Sequence, residues 1–418
     1  MPAVEDVSQG EEIVREIIDR ITAGPIDAVE RALSGVDSVT VGGSPYLIST
    51  RNSYSGEPIA KATQYGFEFF RSHGLEAYYH DYSWDGHEWR NVCARQTGSV
   101  NPNDIVIICA HIDDMPGAGA APGADDNGSG TAAVLLAASI LKEYTFENTI
   151  LYVLFTGEEQ GLRGSAAFVA QRGWAPGRVI GAVNLDMIAY SRDGNPVIDI
   201  QCGDGESSGR LGDLLMDTIS RHSIPLEPRK FTDPSQTASD HASFWDAGYA
   251  AILGIEDERE AYFNPHYHTV DDTWAHCDAA FAANFTKAAV GTLARLAVPA
   301  GTAQAEIELN GSLFEAGDSF SSRFVLKRPI EPPFTAYAAI FLPDGSMVDA
   351  TTLGPVAPAA VSVPGLHPPF EYRLYSGAVP RGAPKGQYEV VAAFFDPSSE
   401  ITGRGDAFLE ASKGFEIR

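Results

Sequence analysis

Three apolar runs, each ending in an acid or a histidine, constrain this chain more than any other feature. Ile105-Val106-Ile107-Ile108-Cys109-Ala110 leads into His111-Ile112-Asp113, Thr149 to Phe155 leads into Thr156-Gly157-Glu158-Glu159, and Val179 to Leu185 leads into Asp186. Short, continuous apolar runs read as strands buried on both faces. After Ser129 they alternate with helical patterns, beginning with Thr131 to Leu141. That alternation predicts an α/β domain with a mostly parallel mixed sheet and helices on both faces. Open sheets of this kind hold ligands at the carboxyl ends of their strands, where these polar residues fall.

Adjacent carboxylates repel, and burying them calls for a cation or a shared proton. A metal ligand beside a general base would account for Glu158 and Glu159. Taken alone, so would a solvated loop with two surface acids. His111 stands two residues before Asp113, so its imidazole has one nitrogen for a metal and one for the carboxylate. Ala121-Pro122-Gly123-Ala124-Asp125-Asp126-Asn127-Gly128-Ser129-Gly130 opens the next helix, where an aspartate is either a ligand or a cap. Asp186 reads as a ligand or a turn residue, and Asn264-Pro265-His266-Tyr267-His268-Thr269 adds a further histidine. Each residue has a plain structural reading by itself. Together those readings require three buried strands to end in acid or histidine by coincidence.

The ordered motifs resemble the di-zinc aminopeptidases related to bacterial leucyl aminopeptidase and to the peptidase domain of glutamate carboxypeptidase II. They are His111-x-Asp113, Gly123-Ala124-Asp125-Asp126, Glu158-Glu159-x-Gly161-Leu162-x-Gly164-Ser165, Asn184-Leu185-Asp186-Met187, Ser239-Asp240-His241-Ala242-Ser243-Phe244, and His268-Thr269 with Asp272-Thr273, spread from Glu57 to Ala297. The resemblance implies a zinc-exopeptidase fold and two Zn2+ ions bridged by Asp125. One ion would also be held by His111 and Asp186, the other by Glu159 and His268. It implies an unusual peptide bond between Asp125 and Asp126, and Asp113 as the partner of His111. Glu158 would activate a metal-bridging water that hydrolyses the N-terminal bond of peptides with a free N-terminus. Tyr267 would hydrogen-bond the oxyanion or pack against the pocket wall. Oxygen and imidazole donors without thiolate suit zinc, and Co2+ or Mn2+ fit the same set.

Two other reactions fit the same scaffold. Carboxypeptidase-like hydrolysis needs a basic pocket, for which Arg51, Arg163, Arg192 and Arg210 are candidates. Glutaminyl cyclisation usually departs from the paired Asp125-Asp126 pattern. A non-enzymatic, receptor-like binder would have no use for an intact ligand set. His241 reads as loop-ordering rather than as a ligand, His266 points away from His268 if the segment is extended, and His80, His87 and Trp84 read as surface.

The net charge of −27, of which residues 1–300 carry −22, argues against nucleic acid or anionic membrane as a partner. No apolar run approaches the ~18 residues of a membrane span. Cys93, Cys109, Cys202 and Cys277 are too few for a disulfide framework, although one bridge is compatible with the sequence. Met1 to Asp6 has neither the basic start nor the apolar core of a signal peptide, which leaves a cytoplasmic location or export with the leader absent.

Helices are expected over Glu11 to Ile21, Pro25 to Leu33, Glu57 to His73 and Asp278 to Leu296. Additional strands are expected over Asn91 to Arg95 and Asp104 to Ala110. A glycine- and serine-rich stretch from Gly203 precedes a helix ending near His222. Past Pro299 the composition shifts. Twelve of the 26 prolines fall there, among short alternating runs with Pro343-Asp344-Gly345 as a turn. Residues 300–418 therefore read as an immunoglobulin-like β-sandwich, an accessory module whose one histidine is His367. Residues 1–299 read as the catalytic domain.

Overall fold

A computed structural model describes residues 9–116, 121–175, 177–300, 305–326, 335–343, 346–349, 370–395 and 409–418. The expectations for Met1 to Asp6, Asp344-Gly345 and His367 lie outside these residues. The chain divides into two compact units, 1–300 and 301–418.

The first unit has strands β1 (Val39–Val41), β2 (Ser44–Tyr46), β3 (Glu76–Trp84), β4 (His87–Gln96), β5 (Asn101–His111), β6 (Asn148–Phe155), β7 (Val179–Leu185), β8 (Val197–Gln201), β9 (Glu227–Phe231) and β10 (Ala251–Glu256). Its helices are α1 (Gln9–Asp19), α2 (Ala23–Leu33), α3 (Glu57–Ser72), α4 (Gly130–Leu141), α5 (Arg163–Arg172), α6 (Glu206–Arg221), α7 (His241–Asp246) and α8 (Ala279–Ala297). Strands β3 to β10 form one eight-stranded sheet in the order β3-β4-β6-β5-β7-β10-β8-β9. The central β6, β5, β7 and β10 run parallel, and antiparallel pairs flank them at β3/β4, β4/β6 and β10/β8.

The apolar runs are buried because both faces of these strands are covered. In β5, Val106, Ile108 and Ala110 enter one core with residues of α3, α4 and α8, while Ile105, Ile107 and Cys109 enter another with Phe168 of α5 and Phe244 of α7. This period-two division is what a strand imposes. Asp278 caps α8, accepting the N–H groups of Ala280 and Phe281 at 2.9 and 3.0 Å.

One reading needs correction. The polar stretch around His80 is a β-hairpin, and His80 is buried, edge-on to Phe168 and bonded to Asn91 at 3.1 Å. The exposed neighbour on that hairpin is His87. The four cysteines are all free thiols, so no bridge forms. Among the described residues no helix is long and apolar enough to cross a membrane.

The second unit contains β11 (Ala305–Leu309), β12 (Leu313–Phe314), β13 (Ser319–Leu326), β14 (Thr335–Phe341), β15 (Met347–Asp349), β16 (Phe370–Ala378), β17 (Gly386–Phe395) and β18 (Leu409–Ile417). They form a sheet β11-β13-β16 and a sheet β12-β18-β17-β14-β15. The two meet through Phe320 of β13, whose ring stacks on Phe415 of β18 at 4.7 Å, with Phe314 and Tyr388 against Phe415. This is a sandwich core built from inward-facing aromatics.

Candidate metal centre

The strand register brings the polar ends together. Phe155 pairs with His111 and Leu185 with Gly254, so His111, Glu158, Glu159 and Asp186 emerge at one edge of adjacent parallel strands. His268 reaches the same place from a loop, with its backbone at φ +56°. Met187, following Asp186, is also left-handed at φ +54°. Such conformations cost non-glycine residues free energy and gather at functional sites.

His111 Nε2 lies 3.2 Å from Asp186 Oδ1 and 3.3 Å from Asp126 Oδ1. His268 Nε2 lies 3.0 Å from Glu159 Oε2 and 3.3 Å from Asp126 Oδ2. Asp126 thus stands between two half-sites, one with His111 and Asp186, the other with His268 and Glu159. Donor atoms of Glu158, His111 and Asp186 also lie within 4.8 Å of one another.

The expected bridging position is therefore displaced by one residue. Asp125 turns away: its oxygens accept the Ala189 N–H at 2.8 Å and the Asn264 side-chain amide at 2.9 Å. The cause is the irregular turn Ala124–Ser129, where Asp126 and Asn127 leave helical geometry at φ/ψ −103°/94° and −125°/54°. The cis peptide likewise falls one residue later than expected, between Asp126 and Asn127. Asp272 fixes the turn by accepting the N–H groups of Asp125 and Asp126 at 3.2 and 3.0 Å.

Asp113 meets His111 mainly through its main chain. His111 Nδ1 donates to the main-chain oxygen of Asp113 at 3.1 Å, and the Asp113 carboxylate is 3.7 Å away. That carboxylate accepts Ser53 Oγ at 2.9 Å and the N–H of Glu158 at 3.4 Å, so it braces Glu158. Asp186 is held by Ser239, whose hydroxyl donates at 2.6 Å and accepts from Asn184 at 2.8 Å. Tyr267 is 39% exposed, stacks on His268 with centroids 3.7 Å apart and lines the cavity beside the cluster.

Arg51, a candidate for a substrate carboxylate by sequence, has a different role. It is fully buried and donates to four carbonyls: Ile112 at 2.8 Å, Leu33 at 2.7 Å, Pro122 at 2.8 Å and Gly123 at 2.7 Å. It thereby ties the His111 strand end to the Asp126 turn. A Cβ on Gly123, at φ +50°, would meet Asp126 O at 2.5 Å and Arg51 Nη2 at 2.9 Å, so only glycine fits. Arg163 lies over Trp84, Arg192 binds Ala261 O and Arg210 pairs with Glu206. None of the four lines the cavity. His241 Nε2 donates to Gln236 O at 2.8 Å and packs against Trp245, while His266 stacks on His276. Both stand apart from the cluster, as expected.

The electrostatics call for positive charge. Burial raises Glu158 well above the carboxylate range, and burial with the repulsion of Asp126 pushes Glu159 up to about 7. Burial opposes a proton on His268, yet Asp126 and Glu159 carry it up to about 10. Glu159 Oε1 is buried and accepts no hydrogen bond. Four acids around two imidazoles, with oxygen and nitrogen donors only, fit divalent cations of the zinc class.

Residues 91–293 match the profile of peptidase family M28. Over this segment the chain is similar to that family. The chain is 31% identical over 228 residues to a probable leucine aminopeptidase of Arthroderma otae, a match covering 50% of this chain and 59% of that one. It is 35% identical over 205 residues to leucine aminopeptidase 1 of Neurospora crassa, covering 44% and 49%. These matches therefore span half to three fifths of the relatives' own lengths. The crystal structure of the LapA aminopeptidase of Legionella pneumophila aligns with a TM-score of 0.58 at 23% identity, over 71% of this chain and 78% of that one. That likeness establishes the M28 segment's fold.

Proposed function

We propose that the chain is a metal-dependent aminopeptidase that removes the N-terminal residue from peptides with a free N-terminus. The observation that carries this reading is Asp126 set between two histidine-carboxylate half-sites, with Glu158 beside them in the lining of a cavity. His111, Asp186 and Asp126 would hold one zinc ion; His268, Glu159 and Asp126 would hold a second. Bound zinc supplies Lewis acidity toward the scissile carbonyl.

The chain's own residues supply the rest. Glu158 takes a proton from the attacking water and returns it to the leaving amine. Burial, which raises its proton affinity, makes it a strong base once ionised. Asp113 holds the Glu158 backbone in place. The Tyr267 hydroxyl, at the cavity wall, donates to the developing oxyanion. Among the described residues the cavity lining includes Asp126, Glu158, Glu159 and Asp186 and no lysine or arginine. That composition suits a substrate amine and offers nothing to a C-terminal carboxylate, which favours an aminopeptidase over a carboxypeptidase. Residues 301–418 are read as an accessory module outside this chemistry.

The test is metal content by mass spectrometry paired with hydrolysis of free and N-blocked aminoacyl anilides. About two zincs per chain with cleavage of the free substrates alone is the expected result. Cleavage of blocked substrates would overturn the exopeptidase reading.

A further inference from the structure

We infer that the cavity beside the metal centre takes a long cationic side chain, lysine or arginine, as the substrate's N-terminal residue, with Glu258 pairing its head. This rests on the aminopeptidase reading above.

The geometry comes from three neighbouring strands, β7, β10 and β8. Asp186 follows β7 on one side. The middle strand β10 contributes Leu253 and Ile255, which with Met187 and Phe263 form an apolar wall. On the far side, Gln201 of β8 pairs directly with Leu253, and Asp199 with Ile255. Directly opposed residues stand on the same sheet face, so Gln201 and Asp199 border that wall. Gln201 Nε2 donates to Glu258 Oε2 at 2.5 Å, and the Glu258 N–H donates to Asp199 at 3.1 Å. The Glu258 carboxylate is thereby tethered at the β8 side, about two strand spacings (~10 Å) from the β7 end that carries Asp186.

The cavity measures 340 Å³, and Glu258 lies in its lining. A short side chain would stop over Leu253. A lysine or arginine would lay its methylenes along Leu253 and Ile255 and bring its charge to Glu258, as amphipathic side chains do.

The neighbouring cations are already engaged. Arg229 donates to both oxygens of Asp199 at 2.7 Å and to Asp257 at 2.7 Å, and Arg259 is held by Asp257. Arg229 is near enough to attract Glu258, but its donors are on Asp199 and Asp257; among the described residues no cation bonds to Glu258, which is half-buried. A half-buried carboxylate at the end of an apolar wall, bonded only to a neutral amide, is a site for an incoming cation. Burial also raises its proton affinity, which an approaching ammonium or guanidinium would offset.

The experiment uses the full chain loaded with zinc and reads binding and turnover separately. Isothermal titration compares L-lysinamide with L-norleucinamide, whose uncharged side chain has the same carbons and lacks the ammonium. Tighter binding of lysinamide by tenfold or more is expected, with Glu258→Gln removing that preference and leaving norleucinamide within threefold. Equal binding of the two by the native chain overturns the inference, as does an unchanged preference in Glu258→Gln. Should that variant lose norleucinamide as well, the comparison on the native chain still decides. Turnover of lysyl, arginyl, leucyl and norleucyl anilides tests the underlying reading. Cleavage that favours leucine sinks the inference alone, and absence of all cleavage with preferential lysinamide binding sinks the aminopeptidase reading alone.

Discussion

Asp126 presents one carboxylate oxygen to His111 and the other to His268, each at 3.3 Å. Its neighbour Asp125 is fully engaged with Ala189 and Asn264. The two adjacent acids thus have separable functions. Asp126→Asn should weaken metal binding by at least about 100-fold, the upper end for changes that only support a ligand, and abolish turnover. Asp125→Asn keeps one oxygen acceptor and should retain metal, with activity within about tenfold. Metal content and anilide hydrolysis of the two purified variants check this. Metal retained in the first and lost in the second would return the bridging assignment to Asp125.

Glu158 and Glu159 should also separate. Glu158→Gln is expected to keep its metal and lose roughly 10²–10⁴ in kcat, the range for a general base. Glu159→Ala should lose metal, because Glu159 is the carboxylate nearest His268. Chelation of the native chain should lower its melting temperature, and added zinc should restore it, since a cation that binds only the folded state stabilises it by mass action. Near-full turnover in Glu158→Gln would remove that residue from the mechanism.

The fold was most legible where burial is uniform. Val179–Leu185 has the expected bounds because both of its faces are buried, and the helix expected over Glu57 to His73 ends one residue earlier, at Ser72, because its apolar face repeats at helical spacing up to the cap. His111, Glu158, Glu159 and Asp186 are legible in the cluster for the same reason, since they stand at or just past the ends of those strands. What sequence left open depends on backbone geometry. Spacing does not separate Asp125 from Asp126, because φ and ψ at Asp126 and Asn127 decide which carboxylate faces the histidines. Arg51 looked like an unassigned cation because its four acceptors, Leu33, Ile112, Pro122 and Gly123, are brought together only by the fold. Gln201 and Glu258 escaped notice for a related reason: their contact follows from the β10/β8 register.

His241 gives a pH signature away from the metal ligands. Burial pushes its imidazole down to about 4, against a hydrogen bond to Gln236 O that favours the proton. Its folded pKa lies below the unfolded value near 6.5, so the unfolded chain binds the proton first. The stability associated with neutral His241 is complete above about pH 6.5 and lost as pH falls toward 4, by up to about 3 kcal/mol at 1.36 kcal/mol per unit. Asp240, pushed up to about 7 by burial, has the opposite sign: it favours the folded state at low pH. The clean readout is therefore the difference between the native chain and His241→Asn in denaturant midpoints from pH 7.5 to 4.5. The variant should lose less stability than the native chain over that span, and parallel curves would show that His241 does not titrate in this way.

Arg51 links folding to the site most directly. Its guanidinium lies at 0% exposure, 3.7 Å from Asp114, with donors spread over carbonyls from α2, the end of β5 and the turn that bears Asp126. Removing one partner of a buried pair typically costs about 3–5 kcal/mol because the other charge and the freed carbonyls stay buried. Arg51→Met should therefore lower the unfolding midpoint by that order. Arg51→Lys keeps the charge but not the planar fork that reaches several acceptors at once, so it should recover only a minor part of the loss. Both variants should also bind zinc more weakly, since Pro122 and Gly123 anchor the turn that presents Asp126. If Arg51→Lys unfolds within about 1 kcal/mol of the native chain and takes up metal normally, charge alone holds the turn and the carbonyl contacts are incidental.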